Sequence, residues 1–318
     1  MITFLGDVAL LSSDMKSDYK PKYPYVFNLE YVIVDEVLKY KPIVGKINLS
    51  SSNTCFEKIF GSDPVAVNVV NNHIYDYDEV GFQNTLANIT QKGILNIKNE
   101  PLYLNEDVCL LSYMILKNSS HFKFDYENVK KNIELIRNKK SDIRIVVQLH
   151  WGIENHPSEN AEQRKVAHWL IDNGVDLIIG HHPHCLQPVE EYKGKMIFYS
   201  LGNAIFTNIN VSSHYDESGN ATRKYRFKWQ RWNRKSISVT YDEKTNKVVK
   251  IDSLYQKKNK LICVKEGISK DSLLRKNIRL SNLKYKLRKY YLFIASNMFV
   301  DGKIFDISAI KHELKGKK

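Results

Sequence analysis

Val175-Asp176-Leu177-Ile178-Ile179-Gly180-His181-His182-Pro183-His184 sets an apolar run directly against a loop with three histidines in four residues. The run reads as a buried strand. The loop places the imidazoles of His182 and His184 one residue apart, a spacing that suits binding to neighbouring metal ions, and Gly180 permits a sharp exit from the strand. Working outward, the same arrangement recurs. Thr3-Phe4-Leu5-Gly6 ends at Asp7, Tyr25 to Leu29 ends at Glu30, Pro64 to Val70 leads into Asn71-Asn72-His73, and Ile143 to Leu149 leads into His150-Trp151-Gly152. Each apolar segment is followed at once by a residue type that ligates metals.

Helical patterns lie between these strands, at Gly81 to Lys92 and at Glu159 to Asn173, the second stopped by Gly174. Strand-helix alternation predicts an α/β core, and in such sheets ligands bind outside the carboxyl ends of the strands, where these polar residues cluster. From Thr207 to Asn220 the polar punctuation predicts a surface loop. Ser236 to Tyr241 and Lys247 to Leu254, joined by Asp242 to Asn246, predict a hairpin. From about residue 257 the chain is Lys-rich and helical in pattern.

The chain has 318 residues, enough for one large domain with an appendix, and 43% apolar with 26% charged residues is the balance of a globular protein. No signal-peptide pattern opens the sequence and no apolar run reaches the roughly 20 residues that span a bilayer. Cys55, Cys109, Cys185 and Cys263 are scattered, without a Cys-x-x-Cys pair, and read as reduced thiols. These features together predict a cytoplasmic protein. The net charge of +13 favours anionic partners without choosing among them.

The order Phe4-Leu5-Gly6-Asp7, Asn28-Leu29-Glu30, Asn71-Asn72-His73-Ile74 with Asp76, Leu149-His150-Trp151-Gly152-Ile153-Glu154, Gly180 to His184 with Gln187-Pro188-Val189-Glu190, and Tyr199-Ser200-Leu201-Gly202-Asn203 resembles the CapA family of capsule and poly-γ-glutamate synthesis proteins. The resemblance covers residues 1 to about 206. It implies a four-layer α/β/β/α metallophosphatase-like sandwich over residues 1–256, including the hairpin, followed by a basic helical extension over 257–318. It also implies a site for one or two divalent transition metal ions (Mn, Zn or Fe). In that site Asp7 and His184 would hold the first ion, Glu30 would bridge, and Asn72, His150 and His182 would hold the second. Asp7 and His73 are the implied catalytic residues, His73 standing where the wider superfamily protonates or stabilises a leaving group. His181 would meet substrate, support a ligand or face solvent. The superfamily's Asp-x-His appears here as Asp7-Val8-Ala9, so one imidazole is absent from the first site, and Glu30 stands in place of the usual bridging Asp.

Two further stretches bear on partners. Arg223 to Trp232 alternates basic with aromatic side chains, so a strand would put cations on one face and rings on the other. Arg223, Arg226 and Arg231 would then guide an anionic small-molecule or polymer substrate, or the strand would lie at an edge with rings packed inward and a solvated basic face. Lys284, Lys286, Arg288 and Lys289 beside Tyr290 to Phe293 would either rest peripherally on an anionic inner-membrane surface or pack on the domain. The leading expectation is a metal-dependent hydrolase of the phosphoesterase type in capsule, surface-polysaccharide or poly-γ-glutamate synthesis. The alternative is a non-enzymatic polymer-binding or scaffold component that meets capsule-assembly proteins. Nucleic-acid binding is the weakest reading, because charge alone leaves the His and acid pattern unexplained.

Overall fold

The computed structural model describes residues 1–34, 42–44, 46–116, 121–216, 218 and 220–273, with the backbone alone at 212–215 and 221–224. The basic and aromatic stretch at 284–293 lies outside the described residues, as does most of the segment expected to form a helical extension. The described part is α/β, with two principal sheets.

The strand Ile2–Ala9 runs through the middle of a nine-stranded sheet. Tyr25–Leu29 lies parallel to it on one side and Lys235–Asp242 antiparallel on the other. Asn203–Phe206 pairs in parallel with its last residues, Asp7 facing Asn203 in register. In the six-stranded sheet the central strand Arg144–Trp151 is flanked in parallel by Val108–Ile115 and Leu177–His181. These strands are nearly all apolar because both faces are covered. Phe4, Val26 and Val239 of the larger sheet share one core with Leu110, Val146 and Ile179 of the smaller. The opposite face of the larger sheet packs Phe27 against Phe56 and Phe82, from the helices Phe56–Phe60 and Asp78–Gln91. The opposite face of the smaller sheet packs Val147 and Leu149 against Ile133 of the helix Tyr126–Lys139 and Leu170 of Ala161–Asp172.

The helix Ala161–Asp172 starts in a capping box: Asn160 accepts from the Gln163 backbone N–H and Gln163 Oε1 accepts from the Asn160 N–H. It stops at Gly174, whose φ of +97° is a conformation that side chains rarely adopt. Close approach fixes other glycines. A Cβ on Gly6 would sit 1.8 Å from the Gly202 carbonyl oxygen, and one on Gly180 2.0 Å from that of Tyr199. Gly180 is therefore needed for contact between strands, and the sharp exit expected of it occurs two residues later.

The expected hairpin is present, with Lys235–Asp242 antiparallel to Lys247–Lys257. Two expectations are corrected. The polar segment read as a surface loop contains the strand Ile209–Tyr215, paired antiparallel with Ala221–Phe227. The segment after residue 257 does not start as a helix, since Lys260–Lys265 adds a further strand to the larger sheet beside Lys247–Lys257.

Asp176, at the start of Leu177–His181, ties the smaller sheet to its neighbours. Its carboxylate accepts from Lys195 Nζ at 2.6 Å, Asn246 Nδ2 at 2.7 Å, the Ile145 N–H at 3.0 Å and Arg137 Nη2 at 3.1 Å. Burial opposes its charge, but Lys195 and the Ile145 N–H outweigh it and hold its pKa below 3.8. A carboxylate whose folded value is depressed stabilises the protein above the ordinary value and ceases to do so as pH falls through the folded one. Asp176→Asn should therefore cost about 1–2 kcal/mol at neutral pH in denaturant titrations. The deficit should shrink below about pH 4, where the parent carboxylate takes up its own proton.

Candidate metal centre

Asp7 is fully buried at the end of the central strand. Its Oδ1 accepts from Asn28 Nδ2 at 2.9 Å and lies 3.0 Å from His181 Nδ1, and its Oδ2 accepts from the His182 backbone N–H at 3.4 Å. The larger sheet thus supplies a carboxylate and the smaller sheet its imidazole partner. The His181 ring is closed in on both sides, with Nε2 3.1 Å from Gln148 Oε1. As placed, two acceptor oxygens flank one ring and Gln148 Nε2 has no hydrogen-bond partner. Turning the Gln148 amide over resolves both, letting Gln148 donate to Nε2 and His181 donate through Nδ1 to Asp7. His181 is therefore not a substrate contact or a solvent-facing neighbour: it orients Asp7 from within the core.

Glu30 follows the strand Tyr25–Leu29 and is also fully buried. One carboxylate oxygen, Oε2, accepts from Asn28 Nδ2 at 3.1 Å. The other, Oε1, has no hydrogen-bond partner and lies 3.4 Å from His184 Nε2 and 3.8 Å from His150 Nε2. His150 Nε2 is in turn 2.7 Å from Asn72 Oδ1 and 3.1 Å from His182 Nδ1. His184 Nδ1 is 3.0 Å from Asn203 Oδ1 and 3.5 Å from Asp7 Oδ2. Asp7, Glu30, Asn72, His150, His182 and His184 therefore converge, as their types and order predict. Their donor atoms fall into overlapping sets with mutual distances within 4.8 Å: Asp7, Glu30 and His184; Glu30, His150 and His182; and Glu154, His182 and His184.

The loop that aims these rings is strained. His182 has φ +91° and His184 φ +54°, values costly for residues other than glycine. The surrounding structure imposes them: Asn233 Nδ2 donates to the His184 carbonyl and to Asn155 Oδ1, and the Asn155 N–H donates to the Pro183 carbonyl. Strain of this kind persists where a site over-determines the backbone.

The electrostatics fit a cation. Burial and the neighbouring His182 push His150 well below its ordinary value, and burial lowers His182 to about 4, so both keep lone pairs free at neutral pH. Burial likewise pushes Glu30 well above the usual carboxylate range. Burial also works against charge on His184, but Glu30 and Asp7 outweigh it and raise His184 to about 10. Oxygen and nitrogen donors thus crowd around Glu30 Oε1, and a cation there would take the place of the protons that Glu30 and His184 hold.

A cavity of about 250 Å³ opens onto this cluster. His73 lines it, with Nδ1 2.7 Å from Asp76 Oδ2, which leaves Nε2 as the uncommitted ring nitrogen. Lys46 also lines it, its Nζ 2.5 Å from Asp76 Oδ1 and donating to the Asn72 carbonyl at 2.6 Å. The far wall is aromatic: Tyr225, Phe227 and Trp229, with the Trp229 ring 5.1 Å from that of His184. This corrects the expectation for the arginines. On Ala221–Phe227 the rings face the cavity, whereas Arg226 is exposed on the alternate face. Arg231 is exposed in the following turn and does not line the cavity, and the Arg223 side chain lies outside the described residues.

Asn28, Gln148, Asn203 and Lys46 join the site without being among the residues that the sequence predicts for it. Asn28 and Asn203 stand inside stretches that carry the family resemblance, so those runs held the signal. Gln148 is marked only as a polar residue inside a buried strand, and Lys46 has no sequence signal.

Comparison with known proteins follows the same lines. Residues 100–208 match the family model described as bacterial capsule synthesis protein PGA_cap. The chain is 31% identical over 245 residues to the PGA biosynthesis protein CapA of Bacillus subtilis, covering 69% of this chain and 62% of that protein. It is 24% identical over 244 residues to the capsule biosynthesis protein CapA of Bacillus anthracis, covering 64% and 59%. A probable polyglutamine synthesis accessory protein of Mycobacterium tuberculosis is 30% identical over 81 residues, covering 26% of this chain and 21% of that protein. The chain thus spans about six tenths of the length of the two Bacillus proteins.

Because Glu30 and His184 are both raised, a divalent cation entering the pocket at neutral pH must expel protons. Calorimetric titration with Mn²⁺ or Zn²⁺ in buffers of differing ionisation heat should show net proton release, and affinity should rise as pH approaches about 10.

Proposed function

The chain belongs to the CapA family of bacterial capsule-synthesis proteins, and on that premise we propose that it is a metal-dependent hydrolase of the phosphoesterase type acting in capsule or poly-γ-glutamate synthesis. One observation carries this reading. Glu30 Oε1, buried and without a hydrogen-bond partner, stands between a donor set formed with Asp7 and His184 and another formed with His150 and His182. If two ions bind, Glu30 would be the ligand shared between them, and Asn72, whose Oδ1 lies 2.7 Å from His150 Nε2, would belong to the second set. The three apolar cores, one between the sheets and one on each outer face, support the four-layer metallophosphatase-type sandwich as the fold.

Divalent cations, when bound, lower the pKa of a coordinated water and clamp the oxygens of an in-line displacement. The chain's own residues prepare the rest. Asn28 and His181 fix the Asp7 carboxylate, and Asp76 engages His73 Nδ1, which leaves Nε2 to hold a proton for a leaving oxygen at the cavity wall. Lys46, anchored by Asp76 and the Asn72 carbonyl, brings a positive charge to the wall where an anionic group would lie. The aromatic wall excludes water from the opposite side.

Ala9 favours a second reading, a non-catalytic polymer-binding component, because it withholds the imidazole that superfamily phosphatases carry at that position. One experiment separates the two. Elemental analysis of the purified chain should find Mn, Zn or Fe, and hydrolysis of 4-nitrophenyl phosphate esters should cease with chelator and return with metal. His182→Ala should weaken metal binding by about 10- to 100-fold and abolish turnover. Metal retention without turnover on any ester would select the non-catalytic reading. Absence of stoichiometric metal would overturn the metal centre itself.

A further inference from the structure

Beyond the six converging residues, we propose that Glu154 is a further metal ligand, closing the centre from the cavity side. This rests on the metal-centre reading above. A Glu154 carboxylate oxygen and one ring nitrogen each from His182 and His184 lie within 4.8 Å of one another. Both imidazoles also belong to the inner sets, so Glu154 extends the same cluster outward. It lines the cavity beside His73 and His184.

The loop bearing Glu154 is built to keep it there. Gly152, at φ +88°, packs so tightly on Gln163 that a Cβ would lie 2.8 Å from its side-chain nitrogen. The next residue after Glu154, Asn155, is bound to the Pro183 carbonyl through its N–H at 2.8 Å and to Asn233 through its Oδ1 at 2.7 Å. Asn233 also donates to the His184 carbonyl at 2.9 Å. Gln187 Nε2 donates to the His156 carbonyl at 2.9 Å, a second tie between the two loops. The Glu154 and histidine loops are therefore tied together, which keeps the exposed Glu154 carboxylate within reach of His182 and His184. Three donors of mixed oxygen and nitrogen type suit the same transition metals as the inner sets. An anionic ligand at the mouth also offsets cation charge on the side where substrate enters, so it tunes how strongly the centre draws anions.

The test uses the full chain stripped of metal and titrated with Co²⁺, followed by calorimetry and by visible absorption, whose d–d bands report coordination. In Glu154→Gln one cation should bind about 10-fold or more weakly than in the parent, with an altered Co²⁺ spectrum. Glu154→Asp should recover part of the affinity. Parent-like affinity and spectrum in Glu154→Gln would overturn the assignment while leaving the inner centre standing. Failure of the parent itself to bind Co²⁺ would overturn both. Exposed Glu154 carries no packing, so thermal melts of the stripped variants should match the parent.

Discussion

The buried carboxylate of Asp7 is the interaction on which the rest of the site depends. It sits where the central strand of the larger sheet meets the last residue of a strand of the smaller, and it is held by Asn28 from one sheet and His181 from the other. A buried carboxylate is costly unless hydrogen bonds and neighbouring charge support it. Here that support comes from both sheets at once, so their relative placement and the ionisation of Asp7 are a single constraint. Glu30, His184 and His150 are arranged around that fixed point, and the glycines at 6 and 180 let the backbone come close enough to make it.

Much of this arrangement is legible in the sequence for a local reason. A buried strand declares itself by an apolar run with a polar residue type at or just beyond its carboxyl end, which marks His150, His182 and His184 without knowing how the strands pair, while Asp7, Glu30 and Asn72 are picked out by the order of motifs that resembles the CapA family. The hairpin after residue 235 is readable for the same reason. What escapes such reading depends on distant partners. Ile209–Tyr215 is polar and becomes a strand by pairing with Ala221–Phe227. Lys260–Lys265 looks helical by its lysines, yet the edge of Lys247–Lys257 recruits it. Consecutive histidines also hide their division of labour: His181 ends a strand and turns inward, whereas His182 and His184 leave it in left-handed backbone conformations and turn toward the donors.

The alternating stretch after residue 221 shows why charge is a weak guide to a binding surface. Its period of two is real, and it sends rings one way and cations the other. The side that meets the cavity is the aromatic one. Arg226 contributes to the field around the molecule, which is long-range and screened by salt. The residues that line the cavity include Lys46, His73 and the rings of Tyr225, Phe227 and Trp229.

The contact between Trp229 and His184 has a practical consequence. An indole 5.1 Å from the His184 imidazole would be a built-in optical probe of the proposed centre, because indole emission is quenched by imidazolium and by paramagnetic ions. Trp229 is one of four tryptophans, and Trp151 and Trp169 pack in the separate core of the smaller sheet. Intrinsic fluorescence would therefore give a label-free view of occupancy of the proposed centre, with no substrate needed.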